Sequence, residues 1–166
     1  MSAVISECGK YRYVLTREAR YGSIPCSRLM YLGLNPSTAD GRTDDATVRR
    51  WRGFSISFGF GGAFMAANLY AYRATDPAEL RCVADPVGPE NNGTLLQMAA
   101  EASIIVLCYG ANPIAQPRAA IVLELLEDYA SKFRALEYSA GGAPCHPLRL
   151  PGSAQLQPYP RVLERP

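Results

Sequence analysis

The sequence predicts an α/β fold in which helices pack on both faces of a central, mostly parallel sheet of four strands. Apolar runs alternate along the chain with segments of helical periodicity, which is typical of successive strand–helix–strand units. The runs at 28–34 and 103–110 are almost continuously apolar, as expected for strands buried on both faces of a parallel sheet. Crossovers of this kind predict a three-layer α/β/α arrangement.

Three elements are predicted before residue 61: two strands and one helix. Residues 10–16 alternate between polar and apolar side chains, which is typical of a half-exposed strand at the edge of a sheet. Residues 28–34 form the first buried strand. Asp44 or Asp45 can cap the helix that follows across 46–60, and the glycines after it end that helix.

The rest of the chain continues this alternation. The predicted elements are, in order, a strand at 63–70, a short helix between the turn signals at 75–77 and 85–86, a helix at 88–102, a strand at 103–110, a helix at 118–133 and a strand at 133–140.

Length and composition favour a single domain. A chain of 166 residues that is 48% hydrophobic can bury one core, so we expect one α/β domain over 1–166, with its core at 10–150 and an irregular tail at 151–166. The net charge of +2 does not by itself indicate a polyanionic partner. Only two basic residues are lysines, and this arginine bias suits phosphate binding as well as the codon usage of a GC-rich genome.

Cysteine and histidine content exclude several classes of site. Five scattered cysteines and one histidine predict neither a disulfide framework nor a zinc or di-iron centre, and no cofactor is expected. No apolar run approaches the roughly 20 residues that span a bilayer, and the amino terminus lacks the order of a signal peptide. We therefore expect a cytoplasmic protein without a membrane partner.

Four polar clusters follow four successive predicted strands, those at 28–34, 63–70, 103–110 and 133–140. They are Asn35–Asp40, Asn68–Arg73, Gly110–Asn112 and His146–Leu148. Ligands of open parallel sheets bind at the carboxyl ends of the strands, so these clusters are expected to line one pocket.

Each cluster also has a purely structural interpretation. Asn35 and Asp40 are equally explained as turn and cap residues. Asn68 lies inside an apolar strand, where an unpaired amide costs about 1–3 kcal/mol, so it requires a partner in the protein, in water or in a ligand. His146, the only histidine, is equally explained as an exposed bystander before a proline.

The arginines around the first helix have two interpretations. Arg49 and Arg50 fit a solvated helix start, or, with Arg73, a rim that binds phosphate. The phosphate-binding loops and the nucleophile elbow of known enzyme classes are missing from the sequence. Cys145 adjoins His146, but sequence neighbours in an extended chain point apart, so a cysteine nucleophile is not expected.

Several blocks of the sequence resemble an uncharacterised bacterial and phage family, domain of unknown function 1643. The resemblance extends from about Leu32 to Pro151 and implies no reaction. The blocks are GLNPSTAD, DDATVRR, NLYAYRATDP, DPVGPEN, YGAN and HPLRLP.

The order of these blocks is also similar to the uracil-DNA glycosylase superfamily. In that superfamily a strand ends in a motif such as GINPG or GQDPYH, a middle strand ends in a base-reading Asn, and a late HPSPL-like loop supplies a His. The resemblance implies a glycosylase-like fold, with Asn35 as water positioner, Asn68 as base reader and His146 beside the base oxygen. Here Ser37 replaces the last Gly of GINPG, and HPLR lacks the serine of HPSP.

Together the resemblance and the strand-end loops define the candidate site. The candidate catalytic residues are Asn35, Asp40 and His146. The candidate substrate-binding residues are Gly33, Pro36, Ser37, Arg49, Arg50, Asn68, Tyr70, Arg73 and Asn112. We expect a nucleobase, nucleotide or DNA as ligand and N-glycosidic hydrolysis as the reaction, because positioned donors stabilise a departing base and an amide matches a base edge. The alternative is a nucleic-acid or nucleotide binding module that kept the fold without the chemistry.

Overall fold

The structure is a computed structural model that describes residues 2–22, 28–37 and 43–160. Its seven strands are β1 Ser2–Ile5, β2 Arg12–Arg17, β3 Leu29–Gly33, β4 Phe64–Asn68, β5 Ile104–Leu107, β6 Phe133–Ala135 and β7 Gln157–Pro158. Its helices are α1 Ala46–Ser57, α2 Asn91–Glu101 and α3 Ala115–Leu125, with shorter 3-10 helices at Pro77–Arg81, Glu127–Lys132 and Pro147–Arg149.

The α/β class is confirmed, but the expected four-stranded, mostly parallel sheet is wrong. The strands form one mixed sheet in the order β1-β2-β4-β3-β5-β6-β7. β4, β3, β5 and β6 pair in parallel, whereas β1 and β2 add antiparallel pairs at one side and β7 adds one at the other. The additional strands β1 and β7 are four and two residues long, too short to show a period in the sequence.

The strand expected at the edge of the sheet lies inside it. β2 pairs with β1 on one side and β4 on the other, and most of its residues are buried. Its two arginines, Arg12 and Arg17, are buried and have partners: the Arg17 guanidinium donates to the Asp44 carboxylate, with Nε 2.6 Å from Oδ1. Because these charged residues are paired inside the protein, the alternation of polar and apolar residues in β2 does not indicate an exposed face.

Successive side chains of the parallel strands point to opposite faces of the sheet and form two cores. On one face, side chains of α1 pack against β3, β4 and β5; they include Val48, Trp51 and Phe54 with Leu29, Tyr31, Phe64 and Val106. On the other face, α2 and α3 cover the same strands; this core includes Leu95, Met98, Ala119 and Val122 with Met30, Leu32, Ala67, Ile105 and Leu107. The sheet is therefore covered by helices on both faces.

The strand order creates a crevice at one edge of the sheet. The chain passes from β3 through α1 to β4 on one side of β3, and then through α2 to β5 on its other side. The loops after β3 and β5 consequently leave the sheet toward opposite faces, and such a switch point is where open α/β sheets bind ligands. Within the described ranges, no helix is long and apolar enough to cross a membrane.

Candidate functional site

A cavity of about 660 Å³ opens at the carboxyl edge of the parallel strands. Its walls come from the loops after β3, β4, β5 and β6, from the start of α1 and from β2. Six of the residues predicted from the sequence line it: Gly33, Asn35, Ser37, Asn68, Asn112 and His146. The structure thus brings together residues that lie more than a hundred positions apart in the chain.

Asn68 is a buried polar residue of this cavity whose side-chain amide has no hydrogen-bond partner among the described residues. It ends β4, and only 2% of its surface is exposed. Its side-chain amide makes no hydrogen bond with any residue the structure describes, although it lines the cavity. Gly33 pairs with Asn68 in the parallel register, and a Cβ at Gly33 would come within 2.6 Å of Asn68 Oδ1. The glycine therefore provides the space in which this amide lies.

A second buried asparagine near the same strand end has the opposite character. The Asn91 amide at the start of α2 donates to the carbonyls of Asn68 and Leu69, at 3.2 Å and 3.0 Å. These bonds hold the end of β4 against the helix. Asn91 thus stabilises the backbone, while the Asn68 side chain keeps its donors and its acceptor for the cavity.

Asn35 contributes both to its own turn and to the cavity wall. Its amide nitrogen donates to the carbonyl of Ala74 at 2.7 Å and to that of Pro36 at 3.2 Å, which fastens the turn after β3 to the segment after β4. Its Oδ1 accepts no hydrogen bond within the described ranges, and the residue lines the cavity. Asn35 can therefore still accept a hydrogen bond from a ligand or a water.

Asp45 places a carboxylate in the cavity wall. It caps α1, with Oδ1 accepting from the Val48 N–H at 2.8 Å, and its Oδ2 accepts from the Ser37 hydroxyl. The predicted cap is thereby confirmed, and the same residue also lines the cavity. The Ser37 hydroxyl joins the loop after β3 to α1.

His146 is placed as a neutral hydrogen-bond donor. Its Nδ1 accepts a long hydrogen bond, 3.5 Å, from the Leu148 N–H at the start of the last 3-10 helix, which leaves the ring proton on Nε2. Burial lowers the pKa of His146, the Arg149 charge lowers it further, and Asp45 opposes them. The ring is therefore neutral near pH 7 and can donate from Nε2.

The loop of His146 is fixed from two sides. The N–H of Gly110, in the loop after β5, donates to the Pro144 carbonyl at 3.0 Å. Arg50 of α1 donates to the carbonyls of Pro147, at 3.3 Å, and of Leu150, and its guanidinium stacks over Phe54. Arg50 thus positions the histidine loop and does not line the cavity.

The other predicted arginines are also occupied by backbone carbonyls away from the cavity. Arg49 is exposed and donates to the Asp44 carbonyl at 2.6 Å, and Arg73 donates to the Gly9 carbonyl at 3.2 Å. Neither residue lines the cavity. None of the three arginines predicted for a phosphate-binding rim, Arg49, Arg50 and Arg73, therefore lines the cavity.

Three further predicted residues have other placements. Tyr70 is buried in the core of α2 and α3, where its hydroxyl donates to the Ile114 carbonyl at 2.9 Å. Pro36 is buried beside the cavity, and its carbonyl accepts from Ala74. Asp40 lies outside the described residues.

Asn112 combines a turn role with a place at the cavity. Its Oδ1 accepts from the Ile114 N–H at 3.1 Å, which shapes the turn before α3. Its amide nitrogen makes no hydrogen bond within the described part of the chain, and the residue is exposed at the cavity.

Sequence reasoning missed several residues of the cavity wall. Trp51 stacks on Tyr31, with ring centroids 5.3 Å apart, and its ring forms part of the wall. Arg12 of β2 is buried and also lines the cavity. The others that bear on function are Tyr109, Ser139 and Arg149. No sequence pattern indicated that these residues line a site, except that Arg149 directly follows His146-Pro-Leu.

Cys145 lacks the properties of a nucleophile. Burial raises the pKa of its thiol, and the Glu137 charge raises it further. A thiolate is the reactive form, and a raised pKa keeps the thiol protonated. The expectation that Cys145 plays no nucleophilic part stays a prediction that this environment favours.

No curated protein and no solved structure is significantly similar to this chain. A family model matches residues 12–148, which contain every described cavity residue except Arg149. The chain therefore belongs to the family described as "Protein of unknown function (DUF1643)".

Proposed function

We propose that the cavity binds a nucleobase and that the protein hydrolyses the N-glycosidic bond of a nucleotide or of DNA. The observation that carries this proposal is the Asn68 amide, which lines the cavity, belongs to a residue that is 2% exposed and has no hydrogen-bond partner among the described residues. The amide meets the cavity with its donors and its acceptor unused, and a base edge with one donor and one acceptor is complementary to it. A uracil-DNA glycosylase-like fold is part of the proposal.

The size and lining of the cavity suit a base. A volume of about 660 Å³ falls within the range of roughly 300–1,000 Å³ of small-molecule sites. Trp51 and Tyr109 supply aromatic surface beside the polar groups, and both are largely buried. Aromatic walls with a few oriented polar groups are what an extruded base requires.

The chemistry assigns a role to three groups around the base. As the bond between C1′ and the base nitrogen breaks, negative charge develops on the base and positive charge on the sugar. His146 would donate from Nε2 to the base oxygen, and the Asp45 carboxylate would face the positive sugar. Asn35 Oδ1 would accept a hydrogen bond from the attacking water. The water oxygen bonds to C1′, and its proton leaves to the base.

Base release from oligonucleotides tests the proposal. Single- and double-stranded oligonucleotides that contain uracil, hypoxanthine or 5-hydroxymethyluracil are incubated with the protein, and abasic sites are detected by alkaline cleavage. Asn35→Ala and His146→Ala should each reduce the rate by about 10²-fold or more. Arg49→Ala, an exposed position away from the cavity, should leave the rate unchanged.

Binding without catalysis is the second candidate function. It is favoured because two residues of the loop after β3 already form hydrogen bonds within the protein. The Asn35 amide nitrogen is held by two carbonyls, and the Ser37 hydroxyl is held by Asp45. If the wild-type protein releases no base but binds nucleotides or DNA through Asn68, the binding module is correct. If it binds no such ligand, both candidates are wrong.

A further inference from the structure

Arg149 is a cation at the cavity whose guanidinium has no partner among the described residues. It is exposed, it lines the cavity, and its side chain makes no hydrogen bond or ion pair within the described residues. It lies three residues after His146 in the chain. Burial is the main cause that lowers the pKa of His146, and the charge of Arg149 is the second. Its positive charge therefore acts inside the cavity.

The arginines that the sequence predicted near the site differ from Arg149 because their guanidinium groups already have partners. Arg49, Arg50 and Arg73 each donate to backbone carbonyls. Arg12 is the other described arginine in the cavity wall, and it is buried and engaged. Arg149 is therefore the guanidinium of the described wall that remains available to an incoming anion.

Two uncharged donors lie on neighbouring loops of the same cavity. The Asn112 amide nitrogen donates to no described residue, because the hydrogen bond from the Ile114 N–H is accepted by Oδ1. The Ser139 hydroxyl oxygen accepts from the Ala143 N–H at 3.1 Å, so its proton remains to be donated. The bond from the Gly110 N–H to the Pro144 carbonyl joins the two loops.

We propose that Arg149, Asn112 and Ser139 bind a phosphate group of the ligand whose base contacts Asn68. One fixed positive charge with added neutral donors matches a phosphate, for which arginine offers paired N–H groups. The inference rests on the proposed function and narrows its substrate class to phosphorylated nucleotides, free or within a strand. Free bases and unphosphorylated nucleosides are weaker ligands.

Matched ligand pairs test this inference. Calorimetric titrations compare the common nucleosides with their 5′-monophosphates, and with short single-stranded homo-oligonucleotides that distinguish a free nucleotide from a strand. The monophosphate or the strand should bind about five- to tenfold more tightly than the nucleoside. Arg149→Gln should remove that difference, and Arg149→Lys should keep part of it. Arg49→Gln is the control with the same change of charge.

The outcomes separate the inference from the proposed function. Equal affinity for nucleosides and phosphorylated ligands, or an unchanged preference in Arg149→Gln, overturns the phosphate site and leaves base binding intact. If no nucleoside or nucleotide binds, inorganic phosphate and pyrophosphate are titrated into the wild type and Arg149→Gln. If phosphate or pyrophosphate binds only when Arg149 is present, the phosphate site is correct and base binding is wrong. If neither anion binds, both proposals are wrong. Equal unfolding midpoints of the variants show that the fold is intact.

Discussion

The Asn68 amide occupies the volume that a side chain at Gly33 would need, since a Cβ there would lie 2.6 Å from Asn68 Oδ1. Gly33→Ala should displace this amide and weaken ligand binding. Overpacking of this kind costs about 1–3 kcal/mol in the free energy of unfolding, which urea denaturation measures. Adding Asn68→Ala to Gly33→Ala should recover stability without recovering binding.

Gly53 provides the control for this substitution. It lies on the exposed face of α1, and a Cβ there has nothing within 4 Å. Gly53→Ala should leave ligand binding unchanged and raise the free energy of unfolding by up to about 1 kcal/mol through helix propensity. If Gly33→Ala behaves like Gly53→Ala, the close approach of Gly33 and Asn68 is not a constraint.

The two buried asparagines should respond differently to truncation. Asn91→Ala leaves the carbonyls of Asn68 and Leu69 without their donor and should lower the free energy of unfolding by about 1–3 kcal/mol. Asn68→Ala removes an amide that bonds to no described residue, so stability should change little while ligand affinity falls. Chemical denaturation and calorimetric binding of both variants measure the contrast. Equal destabilisation by the two substitutions would show that Asn68 is structural.

His146 should titrate below its ordinary pKa of about 6.5. The folded protein binds this proton less readily than the unfolded chain, so the stability associated with neutral His146 is present above about pH 6.5 and is lost as the pH falls through the lower folded-state value. Nitrogen-15 NMR can follow the ring directly, because the chain has one histidine. It should show the proton on Nε2 near pH 7; a pKa at or above 6.5 would contradict the burial of the ring.

Arg50 should act on the site through the loop it holds. Arg50→Ala removes the donors to the Pro147 and Leu150 carbonyls and should weaken ligand binding together with a loss of about 1–3 kcal/mol in stability. Arg49→Ala should change either quantity by less than about 0.5 kcal/mol. If Arg50→Ala changes only the salt dependence of binding to an anionic ligand, Arg50 contacts that ligand instead.

The sequence was most informative where the local pattern reflects burial. β3 and β5 are apolar runs, and Asn68 was identified because an amide inside an apolar strand requires a partner. Contacts between distant segments were not predictable. The sequence placed Arg50 at the start of a helix, but only the fold shows that the carbonyls it binds lie about a hundred residues away. The partners of Arg17 were hidden for the same reason.

The side-chain amide resonance of Asn68 gives the most direct test of base binding. In a nitrogen-15 spectrum of this 18.1 kDa protein, the resonance is identified by its disappearance in Asn68→Asp. Addition of the nucleoside and nucleotide that bind most tightly should shift the resonances of both amide protons, because the amide then forms hydrogen bonds with the base. If such a ligand binds while the Asn68 resonance stays unmoved, the base does not occupy this cavity.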